Sequence, residues 1–270
     1  MSDARSSAAR IDDVTLAYTD RGEGPVLLLL HGHAYDRSMW ARQVEVFSEL
    51  GWRVVAPDLR GFGESGITEG IVYTEEFADD VAGLLDQLGV PAAVVVGFSM
   101  SGQIAMELVR RHPGRVRGLV VVDTVPEAED RDGRRRRHST ADAILAGGME
   151  TYGRSVLGRM VADATVESCP GVAAEVLAML RNAPAKGAAA AMRGRAERQD
   201  LSDVLRGVRI PVLVVVGADD VFDGGAGRRM ADLAPDADLV VIDGAGHTPN
   251  LEQPAAFDDA LRAFLRRFAD

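Results

Sequence analysis

Short, nearly uninterrupted apolar runs punctuate the chain at Val26–Leu30, Val54–Ala56, Ala93–Val96, Leu119–Val122, Val212–Val216 and Leu239–Ile242. Each is bounded by Gly, Pro, Asp or a charged residue. Such runs predict strands buried on both faces, as in a parallel sheet. The intervening segments change period. Thr74–Leu88 places Phe77, Val81, Leu84, Leu85 and Leu88 on one helical face, and Gln103–Arg111 and Phe257–Phe268 follow the same spacing. Strands alternating with helices imply βαβ crossovers and a layered α/β fold. Val14–Tyr18, ahead of the Gly22-Glu-Gly24 turn, predicts an antiparallel edge strand.

The alternation stops between about Val125 and Val204. This stretch is rich in Ala, Arg and Met, helical in period, and carries turn signals at Gly147–Gly148, Pro170–Gly171 and Pro184. The expected organisation is an α/β core of residues 1–124 and 205–270 interrupted by a helical insertion, 125–204. Arg134–Arg137, following the acidic stretch Glu127–Asp132, is expected to form a solvated, charge-balanced loop.

Composition narrows the chemistry. The chain has 270 residues and a formal net charge of −11, which argues against nucleic-acid or anionic-membrane partners. Cys169 is the single cysteine and Lys186 the single lysine, in an Ala-rich stretch. Disulfide frameworks and cysteine metal sites within one chain are thereby excluded, and lysine chemistry has one poorly placed candidate. The polar start MSDARSSAAR lacks the apolar core of an export signal, and no apolar run is long enough to cross a bilayer, so a cytoplasmic location is expected.

Gly61-Phe-Gly-Glu-Ser-Gly66 matches a dinucleotide fingerprint formally. That motif must follow a strand directly and open a helix, whereas here four residues intervene and no helical period follows. It is read as a glycine-rich loop, and no cofactor is called for.

Ala93-Val-Val-Val-Gly97-Phe98-Ser99-Met100-Ser101-Gly102 runs a buried strand through a small-x-Ser-x-small turn into a helix. A nucleophilic serine on a strained elbow needs that context, with small residues two before and two after it. Serine also needs a base. Among five histidines, His247 lies in a loop after the last strand, on the sheet edge that Ser99 ends. A carboxylate to fix the imidazole should come from Asp219 or Asp220 after Val212–Val216, or from Asp123 after Leu119–Val122. His31 and His33, spaced two apart with no cysteine nearby, offer too few ligands for a metal; His31 is expected to support the turn after Val26–Leu30.

The segments LLLLHGHAYDRSMW, VVAPDLRGFGESG, VVVGFSMSGQIA, RIPVLVVVGADD and IDGAGHTPNLEQP together resemble the α/β-hydrolase superfamily over essentially the whole chain. The resemblance implies Ser99 as nucleophile, Asp220 as acid and His247 as base. It further implies that the backbone N–H groups of His33 and Met100 receive the oxyanion, and that 125–204 is a cap. Ser101 departs from the usual glycine. Serine there also occurs in hormone-receptor and signalling members, so a low-turnover ligand-sensing homologue stands as an alternative. Serine rather than aspartate at the nucleophile position disfavours dehalogenase and epoxide-hydrolase chemistry. The expected activity is hydrolysis of a small carboxylic ester or lactone through an acyl-enzyme. ILAGGME and MRGRAERQD are similar to enol-lactonase caps. A cofactor-free perhydrolase or haloperoxidase, which shares the GFSM elbow, is the other alternative.

Overall fold

The computed structural model describes residues 5–268; the first four residues of the polar N-terminal stretch lie outside the described residues. The strands are β1 (Arg5–Ile11), β2 (Val14–Arg21), β3 (Val26–Leu30), β4 (Arg53–Pro57), β5 (Ala93–Phe98), β6 (Val116–Val122), β7 (Val212–Gly217) and β8 (Ala237–Ile242). They form one sheet in the order β1-β2-β4-β3-β5-β6-β7-β8. β1 and β2 are antiparallel to each other, and β2 is antiparallel to β4; the remaining pairs are parallel. β3, β5 and β7 are buried at every position, as their continuous Val/Leu runs predict.

The helices are α1 (Ala41–Glu49), α2 (Thr74–Gln87), α3 (Met100–Arg111), α4 (Arg131–Met160), α5 (Asp163–Ser168), α6 (Pro170–Asn182), α7 (Ala185–Ala196), α8 (Ser202–Gly207), α9 (Ala226–Leu233), α10 (Pro249–Glu252) and α11 (Pro254–Leu265). The chain steps from β3 outward to β4, then back across β3 to β5 and onward to β8. Right-handed crossovers taken in opposite directions put their helices on opposite faces. Accordingly α2 packs on α3 and α3 on α8, while α1 packs on α11, where the Trp40 and Phe257 rings meet 5.9 Å apart.

Three expectations are corrected. Val14–Tyr18 does form an antiparallel strand, but β1 pairs outside it and takes the edge. β1 is polar because an edge strand buries little; of Ser6–Ile11 only Ile11 is fully buried, which hides the strand from a hydrophobicity scan. Leu239–Ile242 is not buried on both faces: β8 is the opposite edge, only Ile242 is buried, and Val241 is 54% exposed. Arg134–Arg137 is helical, on the second turn of α4, where Arg135 pairs with Asp132 and Arg137 with Glu129. Asp130 caps that helix by accepting from the Gly133 N–H at 2.6 Å, so the acidic stretch starts the helix instead of flanking a loop.

The helices α4–α7 occupy the insertion between β6 and β7. The turn signal at Gly147–Gly148 is a kink in α4, with Gly148 at φ 76°, and Pro170 opens α6. Contacts from this unit reach the loops at the C-terminal strand ends. Ala190 O accepts from Val72 N–H at 3.2 Å, Ala188 O from His33, and Met160 O from Thr248. A Cβ on Gly187 would sit 1.9 Å from Gly61 O and one on Gly194 1.7 Å from Val72 O, so only glycine lets α7 lie this close. The Gly61–Gly66 loop thus seats a helix of the insertion and opens none itself, since the next helix begins at Thr74. None of the described helices is long and apolar enough to cross a membrane.

Candidate active site

Four strands end on one edge, and each delivers a polar side chain there. β5 delivers Ser99, β6 Asp123, β7 Asp220 and, after a short turn, β8 delivers His247. The loop backbones are tied in sequence: Ser99 N–H donates to Val122 O (2.8 Å), Asp123 N–H to Val215 O (3.0 Å) and Ala218 N–H to Ile242 O (2.9 Å).

Ser99 has φ 52° and ψ −111°, a region that non-glycine residues avoid, and it immediately precedes α3. A Cβ on Gly97 would lie 2.1 Å from Ser101 O, which is why the residue two before the serine has no side chain. The departure at Ser101 has a local explanation: its buried hydroxyl donates to His31 O, joining the elbow to the loop after β3.

Ser99 Oγ lies 2.9 Å from His247 Nε2, and His247 Nδ1 lies 3.0 Å from Asp220 Oδ2. The three residues predicted from sequence are therefore brought into one hydrogen-bonded chain. Burial alone would raise the Asp220 carboxyl, but the His247 ring and the Phe222 N–H (2.9 Å) overcome it and hold the group below the ordinary aspartate range. Asp219 is exposed and takes no part.

Asp123, the rival acid, does not reach the imidazole as a partner. Its Oδ1 accepts from Gly217 N–H at 2.9 Å, and it is buried beside Asp220. Burial, then the neighbouring Asp220 charge, push its carboxyl well above the ordinary range. Two adjacent buried carboxyls cannot both ionise cheaply, and the His247 hydrogen bond favours the charge on Asp220. Asp123, Asp220 and His247 each offer a ligand atom within 4.8 Å of the others. A cation there would have to displace the His247–Asp220 hydrogen bond, because backbone N–H groups already occupy the remaining Asp220 oxygen and one Asp123 oxygen.

The backbone N–H groups of His33 and Met100 donate to no described backbone acceptor, and Met100 stands at the first position of α3. First-turn N–H groups of a helix point outward and favour negative charge. Gly32, just before His33, lies against the elbow: a Cβ there would be 3.3 Å from Ser99 Cβ. The His33 ring is buried and points into the insertion. Its Nε2–H donates to Ala188 O at 2.9 Å, while Nδ1 faces the Tyr152 hydroxyl at 3.4 Å. Burial, helped by the Arg195 charge, pushes this imidazole down to about 3, so it stays neutral. His31 is internal: Nδ1 bonds Gly32 O and Nε2 accepts from Leu59 N–H, which braces the turn after β3.

Sequence reasoning missed two supports. Phe222 stacks edge-on against His247, with centroids 4.8 Å apart. Buried Glu252 gathers the histidine loop, its Oε1 accepting from Gly246 N–H and Thr248 N–H at 3.0 Å each, on either side of His247. Its Oε2 takes Ala162 N–H and the Thr165 hydroxyl from the insertion at 2.7 Å. The only sequence signal for this was an acid in LEQP, inside the final motif.

A nucleophile elbow after β5, an acid after β7 and a histidine after β8, all on one sheet edge, define a specific architecture. A family profile described as the alpha/beta hydrolase fold matches residues 25–254. The chain belongs to the α/β-hydrolase fold family. A thermophilic esterase from Thermogutta terrifontis superposes on this hydrolase-fold chain with a TM-score of 0.94 and 34% identity, covering 98% of this chain and 99% of that one. 3-Oxoadipate enol-lactonase 2 from Acinetobacter baylyi is 29% identical over 95% of both chains. BpoC of Mycobacterium tuberculosis, provisionally named a non-heme bromoperoxidase, is 30% identical over 93% of this chain and 98% of its own. The first two relatives support a hydrolase acting on esters or lactones.

Proposed function

We propose that the protein is a serine hydrolase that cleaves a small carboxylic ester or lactone through an acyl-enzyme. The observation that carries this reading is the Ser99–His247–Asp220 chain, with contacts of 2.9 and 3.0 Å. Ser99 Oγ attacks the carbonyl carbon as His247 Nε2 takes the hydroxyl proton. Asp220 accepts from Nδ1–H and balances the imidazolium. The carbonyl oxygen takes up the negative charge facing the N–H groups of His33 and Met100. His247 then returns the proton to the leaving alkoxide, which departs as alcohol or, from a lactone, stays tethered to the acyl group. Water, deprotonated by the same imidazole, releases the acid and regenerates Ser99. Residues 125–204 act as a cap over this site and select the acyl or alcohol group. No cofactor or metal enters the scheme, and the partner is a small molecule.

A fluorophosphonate probe should label wild-type protein at Ser99, and p-nitrophenyl esters or small lactones should turn over repeatedly. Ser99→Ala should lose labelling and about 10⁴–10⁶ in kcat. Labelling that persists in the alanine variant overturns the assignment, and a single burst without further turnover favours a ligand sensor. The likeness to BpoC supports a second reading, in which hydrogen peroxide replaces water as acyl acceptor and a peracid is released. Peracid formation from acetate and peroxide, outpacing ester hydrolysis, would select it.

A further inference from the structure

α7 presents two faces to the rest of the molecule. Gly187 and Gly194 lie against the core loops at Gly61 and Val72. The adjoining face carries Ala188, Met192 and Arg195, and it lies toward His33 and α4. Ala188 O accepts from the His33 ring, and Met192 Sδ is 3.6 Å from Arg137 Nη1. Arg195 continues that face one turn further along. Its Nε is buried and has no acceptor, and no described carboxylate lies within ion-pair reach of its guanidinium. The residue as a whole is only half-buried, and of its guanidinium nitrogens Nε alone is both buried and unpartnered.

The neighbouring charges do not neutralise it. Glu129 is engaged by both Arg137 (2.6 Å) and Arg198 (2.5 Å). Three guanidinium groups thus share one acid in a chain whose net charge is −11. Burial, then the Arg137 and Arg198 charges, hold Arg195 well below the usual arginine range. Its charge in turn lowers His33, and it acts on the Tyr152 phenol as do Arg137 and Arg159. An unpaired charge in such a position is costly to the fold and is repaid when an anion binds there. Arginine's planar fork fits a carboxylate.

We propose that Arg195 anchors a carboxylate subsite under the helical insertion, so that the substrate is an ester or lactone bearing a free carboxylate. A hemiester of a short dicarboxylic acid, or a lactone with a carboxylate side chain, has this chemistry. His33 links the elbow to this face of α7, since Gly32 before it lies against Ser99 and its ring bonds Ala188 O two turns before Arg195; we therefore expect a short carbon chain between the carboxylate and the scissile carbonyl. The proposal rests on the serine-hydrolase reading above and adds the charge that its substrate carries.

The test compares kcat/KM for the monoethyl and diethyl esters of succinic, glutaric and adipic acids, by pH-stat, in wild type, Arg195→Met and Arg195→Lys. Wild type should prefer a monoester by at least about tenfold at the best chain length. The monoester-to-diester ratio should fall about 10–100-fold in Arg195→Met, through KM, and recover in part in Arg195→Lys. Removing an unpaired buried charge should leave Tm equal or higher. A ratio that is near one in wild type, or unchanged in both variants, overturns the subsite while ester turnover and Ser99 labelling keep the hydrolase reading. If no ester turns over and Ser99 is not labelled, the hydrolase reading fails instead. Calorimetric binding of the free dicarboxylates then decides the subsite: weaker binding in both variants supports it, and binding equal to wild type, or none in any protein, overturns it.

Discussion

Asp123 and Asp220 are the same residue type at the ends of neighbouring strands, yet their surroundings drive them apart. Asp220 keeps its charge because His247 and the Phe222 N–H stabilise it. Asp123 is denied that charge by burial and by Asp220 itself. For Asp123 the folded pKa exceeds the unfolded one, so its contribution to stability is complete below the ordinary aspartate range and is lost as pH rises above it. Asp123→Asn should therefore keep activity within about tenfold, since the amide still accepts from Gly217 N–H and can donate toward Asp220. Its Tm advantage over wild type should grow between pH 4 and pH 8. Asp220→Asn should cost about 10⁴ in kcat by leaving the imidazole in the wrong tautomer. Paired kinetics and melting curves check both, and an Asp123→Asn loss as large as that of Asp220→Asn would reverse the assignment.

At the scale of elements, the insertion depends on how closely α7 can approach the core. Gly194→Ala puts a methyl group 1.7 Å from the Val72 carbonyl, against backbone that has little room to yield. The variant should lose about 1–3 kcal/mol, the ordinary cost of overpacking, and should shift relative kcat/KM between substrates more than it slows Ser99 labelling by a small probe. Gly158, also helical but on α4, has nothing within 4 Å of its would-be Cβ. Gly158→Ala should gain about 0.5–1 kcal/mol by restricting the unfolded chain. Chemical denaturation of the two variants separates close approach from simple helix propensity. Equal effects would mean that α7 is not seated where described.

For the whole molecule, the acid limit of stability follows from two buried imidazoles. Burial lowers both His31 and His33, the latter to about 3, while both take up protons near pH 6.5 in the unfolded chain. Folded pKa values below the unfolded ones give stability that is complete above about pH 6.5 and is lost as pH falls toward 3. Tm should accordingly drop on acidification from pH 7 to pH 4.5, and His33→Gln should flatten that drop by up to one proton's worth of slope. A slope unchanged in His33→Gln would mean that this imidazole titrates freely in the folded protein.

Much of this protein is legible in sequence because its central strands are buried on both faces. Val26–Leu30, Ala93–Val96 and Val212–Val216 cannot be anything else, and strand-terminal loops must carry the polar residues that such strands exclude. Ser99, His247 and a shortlist of three aspartates were readable for that reason, and the family resemblance pointed to Asp220 among them. Edge strands were not: β1 and β8 bury too little to impose an apolar pattern. Nor was the outcome of competition between charges. How the charges of Asp123 and Asp220 are driven apart, and which of the arginines Arg137, Arg195 and Arg198 is left without Glu129, depend on distances and desolvation between residues remote in the chain. Local sequence determines the strands, the elbow and the helix periods, because backbone sterics and burial act over a few residues. The charge states arise only once the strand-end loops and the insertion are packed together, because they are properties of packed neighbours.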